Sequence, residues 1–453
     1  MHLPSEIVVL IFKHATQGTN AISPFELGWL CHAWRSFVLN SCELWGNIVL
    51  RLSTHSRTLA QADHLAEWLD RGKATPVILD LATGSRYGLD EEDDNTSAAS
   101  GLQRMANTIT KHSERFMSLS LILPLTFFIA LSDSTSPMVW SSLKQLDLGL
   151  QNWDPNFELE SSSFSMFRSS PSLLYLTIRA FYLDTFQLQW AHLLRLEVHY
   201  FDPGEILNAL SRCPNLRSLA AKEVIWDERK YQVPSTGYAI HETLEDVTYT
   251  NSLLGHLSVG YEDAVKLFRY LHVPKVTALT LDLGVSKQFS NPFLLLPLIS
   301  SQRGIFGAAS RLEKLDISDT LLDREDVASA LALLPRIRHL VLKDIEWSSD
   351  ESLTQEVFML MGNEVNPLLP DLESLVFHDS TPTDIELPVD AVFDCLEKRW
   401  GRVTGESENR KAKPPLRKVE VMVMGDCIMT DKQKARKAIW EEMGYVLSLG
   451  KAW

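Results

Sequence analysis

Pro171-Ser172-Leu173-Leu174-Tyr175-Leu176-Thr177-Ile178 places apolar side chains at the first, fourth and sixth positions of a short run that begins two residues after a proline. In an extended segment alternate side chains point to opposite sides, so Leu176 and Ile178 share one face and Tyr175, Thr177 and Arg179 the other. The same spacing returns at Leu143/Leu146/Leu148, Leu193/Leu196/Val198, Leu216/Leu219/Ala221, Leu312/Leu315/Ile317, Ile337/Leu340/Leu342 and Leu372/Leu375/Phe377. With 45% apolar residues, about one window in eleven matches by chance, so the triad alone decides little. The prolines add specificity. Pro171, Pro214, Pro274, Pro335, Pro370 and Pro414 each stand two residues before the first position of a match, where roughly two such coincidences are expected from 20 prolines. Upstream, Glu205 to Arg212, Glu262 to Leu271, Glu325 to Leu334 and Val389 to Trp400 read as helices. Helix, proline stop and strand make one α/β unit, too small to close a core alone but able to share one with parallel neighbours.

The triad resembles the strand signature of leucine-rich repeats. The repeats are irregular, and the place held by asparagine in a regular repeat is Gln151, Phe181, Phe201, Val224 and Thr320 here. The expected architecture is α/β, an irregular leucine-rich-repeat solenoid with a parallel sheet, over 116–429.

The N-terminus reads differently. Leu3-Pro4-Ser5-Glu6-Ile7-Val8-Val9-Leu10-Ile11-Phe12 opens with a proline suited to a first helical turn, followed by Ile7, Leu10 and Ile11 on one face. Ser23-Pro24-Phe25-Glu26 then offers a capping box for a second helix with apolar face Leu27, Leu30, Cys31, Trp34 and Val38. A few helices in so short a stretch are marginal alone, so a partner is expected. Leu3-Pro4, Ile11-Phe12 and the closing Leu44-Trp45 resemble an F-box, and the repeats behind it are similar to those of fungal F-box proteins. That resemblance implies a substrate-recognition subunit of an SCF-type cullin–RING ubiquitin ligase. It implies a Skp-type adaptor docked through Leu3, Pro4, Ile7, Ile11, Phe12, Leu44 and Trp45, a cullin scaffold, and a target protein held by the repeats. The alternative is an interaction scaffold that holds the adaptor without ubiquitin transfer. On the strand face opposite the core, Tyr175, Thr177, Arg179, Arg195, Glu197, His199 and Lys222 are the candidate target-binding residues, because arginine and tyrosine are favoured interface anchors.

The expected division is an F-box-like segment over 1–47, a linker with first irregular repeats over 48–115, the repeats over 116–429 and a helix–strand cap over 430–453. Ile48-Val49-Leu50, Val77/Leu79/Leu81 and Phe116/Leu119/Leu121 read as strands, and His64 to Leu69 as part of a helix. Asp90 to Ser100 reads as a loop. Thr430-Asp431-Lys432-Gln433 is a capping box for a helix ending near Gly444, with Tyr445 to Leu449 a last strand.

Composition removes several function classes. A net charge of −15 argues against a nucleic-acid partner. No apolar run reaches the roughly 20 residues of a membrane span. Five cysteines without a C-x-x-C pair fit reduced thiols, hence cytoplasm or nucleus. The thirteen histidines form no metal-ligand motif, the Gly255 to Gly260 stretch lacks nucleophile-elbow spacing, and Gly444 to Lys451 fails as a phosphate loop. No catalytic residue, metal or cofactor is therefore expected, and a hydrolase within the repeats is the weakest reading.

Overall fold

The computed structural model describes residues 4–16, 24–84, 95–134, 138–151, 164–224, 239–251, 267–268, 270–283, 295–296, 299, 311–347, 353–363, 367–379, 389–400, 416–423 and 429–451. It is α/β and divides into two units, Met1–Glu197 and Val198–Trp453.

The first unit opens with helices α1 (Ser5–Ala15), α2 (Pro24–Trp29) and α3 (His32–Asn40). Strand β1 (Asn47–Leu52), helix α4 (Thr58–Arg71), β2 (Val77–Thr83), α5 (Asn95–Lys111), β3 (Phe116–Leu123), α6 (Leu125–Ser132), β4 (Gln145–Leu150) and β5 (Tyr175–Arg179) follow. Strands β1 to β5 pair in chain order, all parallel. Strand β6 (Arg195–His199) crosses the boundary between the units. The second unit carries α7 (Pro203–Arg212), β7 (Ser218–Lys222), β8 (Ala239–Ile240), β9 (Asp246–Thr250), β10 (Leu271–His272), β11 (Ala278–Asp282) and β12 (Lys314–Leu322). Then come α8 (Arg324–Ala332), β13 (His339–Trp347), α9 (Leu353–Met361), β14 (Ser374–Asp379), α10 (Val389–Trp400), β15 (Lys418–Val423), α11 (Asp431–Glu442) and β16 (Val446–Lys451). Strands β7, β9 and β11 to β16 again pair parallel in chain order, while β8 pairs with β10.

All the triad positions named from the sequence are buried. The matching register sets Leu146, Leu176, Leu148 and Ile178 in neighbouring layers of the first unit, and Leu315, Leu340 and Leu375 in one layer of the second. Each such leucine or isoleucine contributes about 1.5–3 kcal/mol by burial. The prolines act as turn formers more than as helix stops. Leu173 N–H donates to the Ser170 carbonyl at 3.3 Å, Leu216 to Cys213 at 3.0 Å, Val276 to Val273 at 3.2 Å and Ile337 to Leu334 at 3.2 Å. Pro171, Pro214, Pro274 and Pro335 are thus the second residue of a four-residue turn, where their fixed φ is already correct. Trp140 to Leu143 and Trp190 to Leu193 close the same turn without proline, at 3.2 and 3.1 Å. Pro414 lies outside the described residues.

Between β5 and β6 there is no α-helix, only short 3-10 turns at Leu183–Thr185 and Trp190–His192. Aromatic rings take the helix's place. Phe181 stacks edge-on against Phe186 and Phe128, 4.9 Å from each, and Phe186 lies 6.2 Å from Phe167. Large rings supply the buried area that so short a crossover cannot supply with a helix.

Ala180, Tyr200, Glu223, Asp319 and Asp344 have φ of +48° to +66° and share one repeat position, four residues after the central core residue. The left-handed turn there swings the next side chain inward, and Phe181, Phe201, Val224, Thr320 and Ile345 are all buried. Four of these five side chains are apolar, and Thr320 is the polar exception. Asp319 also has its carboxyl raised above the usual range by burial and then by the neighbouring Asp344. A raised folded pKa means that the carboxylate destabilises the fold as pH rises through it, while the protonated form below the unfolded pKa does not. Asp319→Asn should therefore raise Tm at pH 7, helped by asparagine's tolerance of positive φ, and most of the gain should vanish below about pH 3, where the carboxyl is protonated in both states. Calorimetry at both pH values checks this.

Several expectations need correction. The second N-terminal helix is broken at Leu30–Cys31, where the Cys31 thiol accepts the Trp34 N–H at 3.4 Å and starts a new helix. Leu27 and Val38 are buried, whereas Leu30, Cys31 and Trp34 are exposed, so they do not form one face. Ser23 lies outside the described residues, as do 90–94 of the proposed loop. From Asn95 that loop is the start of α5, whose Ala98, Leu102, Met105, Ala106 and Ile109 are buried at helical spacing. Of the helix expected over Glu262 to Leu271, residues 267, 268 and 270 are helical, while Leu271 itself pairs with Ala239 as part of β10. The C-terminal capping box is present, with Thr430 and Gln433 bonded reciprocally.

Candidate functional site

Two surfaces of the first unit concentrate the side chains capable of recognition. One is formed by the N-terminal helices. Lys13 pairs with Glu43 at 2.5 Å, and the Asn47 amide donates to the Thr16 carbonyl at 3.0 Å, tying the C-terminal end of α1 to the start of β1 and the turn before it. Arg35 Nε donates to the Gly28 carbonyl at 3.1 Å, joining α2 and α3. Phe12 is buried with its ring 4.7 Å from Trp34 and 5.6 Å from Phe37, so α1 packs on α3 through that side chain.

Of the residues expected to meet an adaptor, Leu3 lies outside the described residues, while Pro4, Ile7 and Ile11 are exposed. Phe12, Leu44 and Trp45 are buried. They support the helices from inside and are not available as contact residues in this conformation. Trp45 Nε1 donates to the Val38 carbonyl at 3.0 Å, and its ring sits 5.0 Å from Phe25 and 5.9 Å from Trp68. Hydrophobicity alone could not separate these from the surface residues. In their place the structure exposes Leu10, Trp29, Leu30, Trp34 and Leu39, with Trp29 72% and Leu30 68% accessible. Trp29 had no signal in the sequence beyond being a tryptophan at a helix end.

The second surface is the outward face of the parallel sheet. Tyr175, Thr177 and Arg179 alternate with the buried Leu176 and Ile178, and Arg195 and Glu197 alternate with Leu196. The register sets Thr177 beside Asp147, and Asp147 beside Ser120. Arg179 reaches diagonally to Asp147, with Nε to Oδ1 at 3.3 Å and Nη2 to Oδ2 at 3.2 Å, while Ser120 Oγ donates to Asp147 Oδ2 at 3.3 Å. Burial pushes the Asp147 carboxyl above the usual range, and Arg179 and Ser120 work against that shift. Arg195 pairs with Glu197 at 3.2 Å, and Arg51 with Asp80 at 2.5 Å on the same face. Asp147, Ser120, Arg51 and Asp80 are members of this face that the sequence reading did not single out. Their outward positions follow from the same alternation. His199 and Lys222 belong to the second unit, where both are half-buried on outward strand positions and the Tyr200 N–H donates to the Lys222 carbonyl at 3.1 Å.

Three groups of catalytic type, His241, Cys213 and Cys395, are buried. His241 is buried with Nε2 2.7 Å from the Cys213 carbonyl oxygen. Burial pushes the Cys213 thiol up to about 12 and that of Cys395 up to about 11, which removes thiolate character at neutral pH. Among the described residues no group of three or more His, Cys, Asp and Glu side chains could hold a metal ion, and no helix is long and apolar enough to cross a membrane. In comparisons with known proteins, no family model matches the chain, and no curated protein matches it.

Proposed function

We propose that the chain is a substrate receptor of an SCF-type cullin–RING ubiquitin ligase, with helices α1 to α3 docking a Skp-type adaptor and an irregular leucine-rich-repeat solenoid presenting its sheet face to a target protein. The observation that carries the reading is the exposure of Ile7, Leu10, Ile11, Trp29, Leu30, Trp34 and Leu39, seven large apolar side chains within forty residues. Exposed apolar surface of that density is a mark of protein–protein contact. The parallel register, the recurrent turn and the repeated left-handed residue support the repeat architecture. In such a receptor the chain performs no bond chemistry; it contributes proximity between target and ligase.

Ile7→Asp with Ile11→Asp is expected to reduce affinity for the purified adaptor by about a hundredfold or more, because a docked carboxylate would be desolvated without a partner. Both side chains are exposed, so circular dichroism and Tm should stay close to wild type. Unchanged capture of the adaptor by the double variant would refute the docking surface. Recovery of a cullin with the wild-type complex distinguishes a ligase receptor from an adaptor-holding scaffold.

A further inference from the structure

The outward sheet face of the first unit carries its charge in a particular vertical order. Side-chain exposure is 36% for Arg179 over 16% for Asp147, 55% for Arg195 over 12% for Glu197, and 47% for Arg51 over 36% for Asp80. The carboxylates lie beneath and the guanidiniums above. The three pairs sum to no net charge, but the more exposed member of each is the guanidinium, so an incoming partner meets the cationic groups first, although the chain as a whole has a net charge of −15. A guanidinium has five donors in a fixed fork. Arg179 spends Nε and Nη2 on Asp147, and Arg195 is bonded through Nη2 to Glu197, so each keeps further donors for an incoming acceptor. Holding a long side chain in one rotamer before binding also lowers the entropy lost when the partner arrives.

Gly149 fits the same arrangement. It occupies an outward strand position opposite Arg179, with no positive φ, and a Cβ there would touch Ile122 at 3.4 Å and Arg179 Cβ at 3.5 Å. Those are ordinary contacts, so backbone geometry does not demand glycine. A larger side chain would instead occupy the path by which Arg179 crosses to Asp147. Tyr175, 43% exposed, and Thr177 complete the patch between the two arginine–carboxylate pairs.

We infer that this face binds an acidic peptide segment, whose aspartate or glutamate carboxylates take the remaining donors of Arg179 and Arg195 while Tyr175 packs against the peptide backbone. This names the class of target for the receptor reading and rests on that reading for its biological role, but the binding itself does not need the adaptor. Asp147 and Glu197 are positioning residues. The lower carboxylates make the site selective for partners that approach from above, since a cation would meet the guanidiniums first.

The test uses the full chain and a fluorescein-labelled twelve-residue peptide of alternating Glu and Ser, with the Gln-for-Glu peptide as control, followed by anisotropy at two salt concentrations. The expected result is saturable, salt-sensitive binding of the Glu peptide that exceeds the Gln peptide at least tenfold, and at least a tenfold loss in R179Q/R195Q. R179Q/D147N removes both members of one pair, leaves no uncompensated carboxylate, and should lose affinity to a similar degree. D147N alone separates bracing from net charge: it adds positive charge, so simple attraction predicts tighter binding, whereas a braced guanidinium predicts weaker binding. Equal binding of the Glu and Gln peptides, an unaffected R179Q/R195Q, or tighter binding by D147N would overturn the proposal, as would binding only when phosphoserine replaces Glu. Adaptor capture measured on the same samples keeps the two ideas apart, because R179Q/R195Q should retain it and the Ile7/Ile11 variant should retain peptide binding.

Discussion

Trp45→Ala should destabilise the first unit by about 4 kcal/mol, the middle of the range for deleting a buried aromatic side chain. Trp45 is fully buried, packed edge-on against Phe25 and Trp68, with the Arg71 guanidinium 5.4 Å from its ring centre. The substitution removes that contact area and also leaves the Val38 carbonyl without its indole donor. The helices α1 to α3 would lose their attachment to α4 first. Urea unfolding followed by circular dichroism should show the loss, and proteolysis should cut first before residue 47. A Trp45→Ala protein of wild-type stability that no longer captures the adaptor would instead make Trp45 a contact residue.

Gly101→Ala is expected to cost about 3 kcal/mol, although alanine is intrinsically the better helix former by about 1 kcal/mol. A Cβ at Gly101 in α5 would stand 2.7 Å from Leu59 N, 2.8 Å from Thr58 C and 2.9 Å from Thr58 Cγ2. Two of those atoms are backbone at the start of α4, so the helices would have to separate. Gly149→Ala is the control, since its nearest contacts begin at 3.4 Å and its effect should stay within about 1 kcal/mol. If the two alanine variants unfold at the same urea concentration, the close approach of α4 and α5 is wrong.

The parallel α/β arrangement was legible because its signal is local: a turn, then apolar residues at fixed spacing, with proline reinforcing the turn at Pro171, Pro214, Pro274 and Pro335. The unit at Leu244/Val247/Tyr249 was missed, although it has the same spacing and its core residues are equally buried. Helix α5 was hidden because its Asn95-Thr96-Ser97 start and Gly101 have low helix propensity, and tertiary packing on α4 decides the matter. The left-handed positions were invisible for a similar reason, since glycine marks such sites in a sequence and none of Ala180, Tyr200, Glu223, Asp319 and Asp344 is glycine. For the candidate surfaces, period-two alternation correctly set Tyr175, Arg179 and Arg195 outside. It said nothing about Asp147 lying under Arg179, which depends on the register between β4 and β5. At the N-terminus the apolar residues were identified as a group, but their division into buried Phe12, Leu44 and Trp45 and exposed Ile7, Leu10 and Ile11 required the packing of α1 on α3.

We propose the exposed apolar helices as the adaptor-docking surface. Hydrogen–deuterium exchange of the full chain, with and without a purified Skp-type adaptor, tests it directly. A stable one-to-one complex is expected, in which peptides covering residues 4–16 and 24–41 gain protection while those covering 175–197 do not change. Absence of a complex at micromolar concentrations, or protection on the sheet face with none on α1 to α3, would contradict it.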